Sequence, residues 1–173
     1  MLLFSAIVPP AQLAESLELR LGALRPQAPD ARWTPPDRWH ITLGFYGEAE
    51  ETETRVDWLR KALAGQPAPV LRLEGAGTFS RVLYLGVYSE SLIALATAAG
   101  AGAERPYLPH LAVARTTGDV PAELAQGLSR YVSEPWTAIE VVLMRSDPTP
   151  TGRRYSVVER FPLEVRPAGQ ASG

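Results

Sequence analysis

Segments of strand period and helix period alternate along this chain, yet its strands lie next to one another too often for a simple βαβ repeat. Residues 2–8 read as a strand stopped by Pro9-Pro10. Leu13, Leu17, Leu21 and Leu24 then predict a helix over 11–24, entered through the prolines and left before Pro26. Strand patterns follow at 38–45, 70–73, 82–87, 110–114, 139–144 and 155–158, and helical patterns at 49–64, 92–101 and 121–131. Gly75-Ala76-Gly77 reads as the joint between two strands and Ser89 as a helix N-cap. Residues 147–152 read as a turn-rich connection. The expected class is α+β. A strand bearing a histidine, flanked by helices and followed by further strands, occurs in each half, so two similar lobes are expected. Residues 1–166 are expected to form one domain, with a flexible C-terminal tail over 167–173.

The histidines are the chain's scarcest chemical resource: 173 residues contain two of them and no cysteine. That count excludes disulfides, cysteine nucleophiles, thiolate metal sites and any three-histidine metal site. The first lies in Trp39-His40-Ile41-Thr42-Leu43 and the second in Pro109-His110-Leu111-Ala112-Val113. Side chains alternate along a strand, so Ile41 and Leu43 should enter a core while His40 and Thr42 face out together. Leu111 and Val113 should do the same for His110 and Ala112. A lone strand histidine is usually structural; two in one frame, facing each other across a groove, form an acid–base pair. One imidazole takes a proton from a nucleophile while the other gives one to a leaving oxygen, which suits metal-independent phosphodiester cleavage. Neither frame brings Asp or Glu at metal-ligand spacing, so no metal or other cofactor is expected.

Charge narrows the partner. The net charge is −2 and the pI about 5.7, wrong for gripping a long duplex. Apart from Lys61, every basic side chain is arginine, whose fork recognises phosphate in two-point fashion. A nucleic-acid partner would therefore be held by an end or as a nucleotide. No apolar stretch approaches the ~20 residues of a membrane span, and Met1-Leu2-Leu3-Phe4-Ser5 lacks the basic start of a secretory signal. A cytoplasmic monomer is the expectation.

His40-Ile41-Thr42-Leu43 resembles the H-x-T-x motif of the two-histidine phosphoesterase superfamily, and His110-Leu111-Ala112-Val113 resembles its second copy. The surrounding segments are similar to the RNA 2′,3′-cyclic phosphodiesterase branch, historically called 2′-5′ RNA ligases. They include Phe4-Ser5-Ala6-Ile7-Val8-Pro9-Pro10, similar to the family's opening strand, Arg32-Trp33-Thr34-Pro35-Pro36 before the first motif and Gly44-Phe45-Tyr46-Gly47-Glu48 after it. Arg81-Val82-Leu83-Tyr84-Leu85-Gly86-Val87, Ala114-Arg115 and Met144-Arg145-Ser146 with Gly152 and Tyr155 complete the set.

The resemblance implies a bilobal fold of two antiparallel sheets related by a pseudo-twofold axis, with helices outside and a central cleft. It implies His40 as proton donor, His110 as the acceptor that activates water, and opening of a terminal 2′,3′-cyclic phosphate to a 2′-phosphomonoester. Thr42 would bond a phosphate oxygen, Phe45 would stack a base and Arg115 would clamp phosphate. An offset of five from each histidine is the wrong parity for a flat strand, so a bulge or strand end must re-aim Phe45 and Arg115. Ala112 departs from the pattern, which has threonine there; Arg115 or Thr116 could stand in for the lost hydroxyl. Three other activities remain open from sequence: hydrolysis of another cyclic or 2′-5′ phosphodiester, weak reverse 2′-5′ ligation, and an RNA-end or nucleotide binding module without catalysis.

Overall fold

The computed structural model describes residues 1–48 and 51–166, so the tail expected at 167–173 lies outside the described residues. The chain folds into two antiparallel sheets and four α-helices among those residues. The first sheet runs in the order β3-β1-β8-β9, with β1 at Leu2–Ile7, β3 at Ile41–Gly47, β8 at Glu140–Thr149 and β9 at Gly152–Pro162. The second runs β2-β6-β5-β4-β7, with β2 at Arg32–Trp33, β4 at Val70–Phe79, β5 at Val82–Tyr88, β6 at His110–Arg115 and β7 at Trp136–Thr137.

Helix α1 spans Ala11–Leu24 and buries Leu13, Leu17, Leu21 and Leu24, the stripe its spacing predicts. Pro10 sits extended before it, and its carbonyl accepts a hydrogen bond from the Ala14 N–H at 3.1 Å. Helix α2 spans Thr52–Leu63, shorter than the pattern at 49–64, and stops before Gly65, which takes a left-handed φ of 73°. Helix α3 (Leu92–Ala98) also ends earlier than expected, and its N-cap is Ser91, not Ser89. The Ser89 hydroxyl instead accepts the Ser91 N–H at 3.4 Å. Helix α4 is Ala122–Leu128.

Two connections proved to be strand. The Gly75-Ala76-Gly77 stretch lies within β4 as an irregularity between Leu73 and Ala76. Close strand packing uses glycines here: a Cβ on Gly77 would come 2.5 Å from the Tyr84 hydroxyl, and one on Gly86 of β5 2.7 Å from the Glu74 carbonyl. Likewise β8 and β9 stay paired out to Thr149 opposite Gly152, leaving only Pro150-Thr151 as the turn.

One apolar cluster draws Leu3, Ile41 and Val141 from the first sheet and Leu83, Leu85 and Leu111 from the second, with the helices packed over it. The other face of the first sheet carries a smaller cluster, Phe4, Ala6, Val142 and Met144, with Tyr155 against it. No helix among the described residues is long and apolar enough to cross a membrane.

Candidate active site

Both histidines are held the same way. His40 stands just before β3, after the turn of helix at Pro36–Arg38, and its Nδ1 lies 2.8 Å from the Arg38 carbonyl. His110 opens β6, and its Nδ1 lies 2.8 Å from the Leu108 carbonyl, again two residues back. A carbonyl only accepts, so each Nδ1 carries a proton and donates it; in the neutral ring each Nε2 is then a bare acceptor. The neighbouring side chains follow the alternation: Ile41, Leu43, Leu111 and Val113 are buried, while His40, Thr42, His110 and Ala112 keep partial exposure.

Aromatic rings wall each imidazole. His40 packs against Phe4 at 4.9 Å between centroids and edge-on against Tyr155 at 5.5 Å. His110 stands edge-on to Phe79 at 5.0 Å and to Tyr84 at 5.5 Å. These four walls come from β1, β9, β4 and β5, each set by the same sheet as its histidine. Burial makes the charged form of His40 costly and lowers its pKa; the hydrogen bond to Arg38 opposes this, and the charge of His110 lowers it further. The charge of His110 thus reaches His40, and β3 lies in contact with β6.

A bulge re-aims the residue five positions beyond each histidine. On β3, Thr42 pairs with Ala6 but Phe45 pairs with Phe4, so three steps on one strand meet two on the other. Phe45 thereby shares a face with Phe4 and Thr42, and it is 65% exposed, which leaves its ring available for stacking. On β6, Ala112 pairs with Tyr84 but Arg115 pairs with Val82, which returns Arg115 to the face of Ala112. Among the described residues Arg115 has no carboxylate partner, so its guanidinium stays open to an anion. Thr116 is no substitute for the missing threonine, because its hydroxyl already donates to the Gly118 carbonyl at 2.6 Å.

Two further contacts lock the motifs together. The Tyr107 hydroxyl donates to the Thr42 carbonyl at 2.6 Å, tying the approach to His110 to the strand that follows His40. Burial pushes the Tyr107 phenol well above its ordinary range, so it remains a donor. Behind β3, the Gly44 N–H donates to Ser5 Oγ at 3.0 Å and the Tyr46 hydroxyl donates to the Ala99 carbonyl at 2.7 Å. The Ser5 and Tyr46 oxygens are 2.7 Å apart, so the serine donates and one directed chain of bonds spans β1, β3 and the end of α3. Gly44 lies inside this chain: a Cβ there would collide with the Ala99 carbonyl and come 2.7 Å from the Tyr46 hydroxyl.

The six sequence-predicted residues thus line two facing strands, His40, Thr42 and Phe45 on β3 and its lead-in, His110, Ala112 and Arg115 on β6. Sequence reasoning did not assign Phe4, Phe79, Tyr84, Tyr107 or Tyr155 to the site. Tyr84 and Tyr155 stood inside matched segments, but nothing in local spacing says that a ring on a distant strand will wall a histidine. No group of three or more His, Asp or Glu side chains gathers as a metal would require, among the described residues.

A model of the LigT like phosphoesterase family matches residues 7–88. A curated relative from Methanothermobacter thermautotrophicus, named RNA 2′,3′-cyclic phosphodiesterase, is 32% identical over 151 residues, covering 76% of this chain and 82% of that protein. The chain belongs to the LigT-like phosphoesterase family. A second relative of the same name, from Thermus thermophilus, is 30% identical, covering 94% of this chain and 90% of that protein. Among solved structures, one that is also from Thermus thermophilus matches with a TM-score of 0.76 and 27% identity, over 94% of this chain and 97% of that one. E. coli LigT complexed with 3′-AMP matches with a TM-score of 0.73 and 26% identity, over 94% and 97%. The bilobal two-sheet fold expected from sequence is the family's fold.

Proposed function

We propose that this chain hydrolyses 2′,3′-cyclic phosphodiesters, on RNA ends or nucleotides, to 2′-phosphomonoesters, without a metal, by acid–base catalysis from two imidazoles. The observation that carries this is the paired anchoring of His40 and His110: both Nδ1 protons are committed to backbone carbonyls, so both Nε2 atoms are left for proton transfer. The names of the two curated relatives support the substrate class.

In the proposed reaction, neutral His110 takes a proton from water at Nε2 as the water oxygen bonds to phosphorus. The bond from phosphorus to the ribose 3′ oxygen breaks, and protonated His40 gives that oxygen its Nε2 proton. The phosphate stays on the 2′ oxygen, His110 ends charged and His40 neutral, and solvent exchange restores the start. The Thr42 hydroxyl donates to a phosphate oxygen, Arg115 offsets its charge and Phe45 stacks a base. Burial holds free His40 toward the neutral form. The bound phosphate anion favours its imidazolium and supplies the opposite charge that makes it an acid. A ribose 5′ hydroxyl attacking phosphorus in place of water, with the 3′ oxygen again leaving and protonated, would form a 2′-5′ phosphodiester, the reverse of 2′-5′ cleavage through a cyclic phosphate.

The test is turnover of 2′,3′-cyclic AMP and of a short RNA with a cyclic-phosphate end, in EDTA, with the product's phosphate located. A 2′-phosphate product and losses of roughly 10²–10⁴-fold in His40→Ala and His110→Ala are expected. An activated aryl leaving group needs no proton, so it should rescue His40→Ala more than His110→Ala. A 3′-phosphate product, loss of activity in EDTA, or binding of 2′-phosphorylated nucleotides with no turnover would overturn the reading; the last would make the chain an RNA-end binding module.

A further inference from the structure

Near His40 lie two arginines that nothing in the proposed hydrolysis uses, Arg38 at the end of the turn of helix before it and Arg153 on β9. Arg153 lies on β9 two residues before Tyr155, with regular pairing between them, so both share the face on which Tyr155 meets His40. Its Nε donates to Ser146 Oγ at 2.6 Å and its Nη2 to the Ser146 carbonyl at 3.1 Å. Ser146 is itself buried and pairs directly with Tyr155. The guanidinium is therefore held at two points on the strand next to Tyr155, and its Nη1 makes no hydrogen bond among the described residues. Arg38, whose carbonyl anchors His40, reaches the same hairpin and donates from Nη1 to the Arg153 carbonyl at 3.2 Å.

Neither arginine has a carboxylate within ion-pair distance among the described residues. The nearest acid along the hairpin, Asp147, is taken by Arg145 at 2.9 Å and faces Arg154 on the opposite side of the strand pair. Two cations held at one hairpin without acids make a place that favours an anion.

The geometry points to a second anion subsite, Arg38 with Arg153, that takes the phosphate on the 5′ oxygen of the terminal nucleotide. This rests on the proposed hydrolysis with His40 as acid. The leaving 3′ oxygen then points at His40, and the ribose continues from C3′ through C4′ to the 5′ oxygen, so the 5′ phosphate falls on the His40 side of the cleft. The enzyme would select chain ends over free cyclic mononucleotides.

The experiment compares kcat/KM for three probes: 2′,3′-cyclic AMP, its 5′-phosphorylated form, and the dinucleotide ApA ending in a 2′,3′-cyclic phosphate. Both 5′-phosphorylated probes should be favoured over plain cyclic AMP, and Arg153→Gln and Arg38→Ala should each reduce that preference by about ten-fold, as for one charge-assisted contact. Arg153→Gln keeps a donor for Ser146, and Arg38→Ala keeps the backbone anchor of His40, so folding is preserved; Arg154→Ala on the other face should keep the preference. The salt dependence of the dinucleotide should also weaken in Arg153→Gln, by about 0.7 in log–log slope per lost contact. An advantage confined to ApA, no advantage in wild type, or a preference untouched by both substitutions would overturn the subsite. If no probe is turned over, the hydrolysis reading fails, and affinity for 2′-phosphorylated adenosine with and without a 5′ phosphate decides the subsite by the same ratio.

Discussion

Tyr107 and the carbonyl of Thr42 are 2.6 Å apart, and their bond joins the segment leading into one histidine to the strand leading away from the other. Tyr107→Phe removes that bond alone and leaves a carbonyl short of a donor. A stability loss of about 1 kcal/mol is expected in urea titration. If the bond sets the spacing of the imidazoles, kcat falls several-fold with KM little changed; equal changes in both would show that it serves folding only.

The lowered pKa of His40 comes from burial first, then from the charge of His110. In the free enzyme His40 loses its proton at lower pH than an ordinary histidine, so the alkaline limb of kcat/KM should lie below neutrality. Bound phosphate opposes that loss, so the alkaline limb of kcat should lie at higher pH. Paired pH–rate profiles check this, and coincident alkaline limbs would contradict it.

The same burial makes the fold sensitive to acid. Because the folded pKa of His40 lies below its unfolded value of 6.5, the unfolded chain binds more protons as pH falls. Stability attributable to neutral His40 is present above 6.5 and is lost as pH drops through 6.5 toward the folded value. His40→Gln should therefore lose less stability than wild type between about pH 7 and 5, read as the difference in urea midpoints.

Gly44→Ala places a methyl against the Ala99 carbonyl and the Tyr46 hydroxyl. Overpacking of this kind costs roughly 1–3 kcal/mol, and it breaks a directed chain of bonds as well. The melting temperature should fall clearly, whereas alanine at Gly118, where a Cβ meets nothing within 4 Å, should leave it nearly unchanged.

Ala112 shares the face of Arg115 and lies opposite Tyr84. Ala112→Thr restores a hydroxyl two residues beyond His110, where Thr42 stands beyond His40. Turnover of the cyclic phosphate should rise, by up to the roughly 10²-fold that a lost oxyanion donor can cost. An unchanged or lower rate would show that the site does not need the group.

Much of this was legible because it is local. The stripe of α1, the burial of Ile41 and Leu43 against the exposure of His40, and the need for a bulge before Phe45 and Arg115 all follow from spacing along a single element. What escaped depends on partners far apart in the chain. The Gly75-Ala76-Gly77 stretch looks like a turn until Tyr84 is seen to occupy the room that a side chain on Gly77 would fill. The long β8–β9 hairpin runs through two prolines and a glycine that locally argue against strand. Tyr155 becomes a wall of the candidate site only through a sheet order that places β9 beside β8 and two strands from β1.

The anchoring of both imidazoles by main-chain carbonyls has a consequence for how this site can change over generations. Where a histidine is oriented by a carboxylate, a single substitution at a third position can disable it. Here the orienting groups are the peptide carbonyls of Arg38 and Leu108, which survive almost any exchange of those side chains. The proposed proton-transfer pair therefore presents a small mutational target, and drift can rework the arginines and aromatics around it while the pair persists.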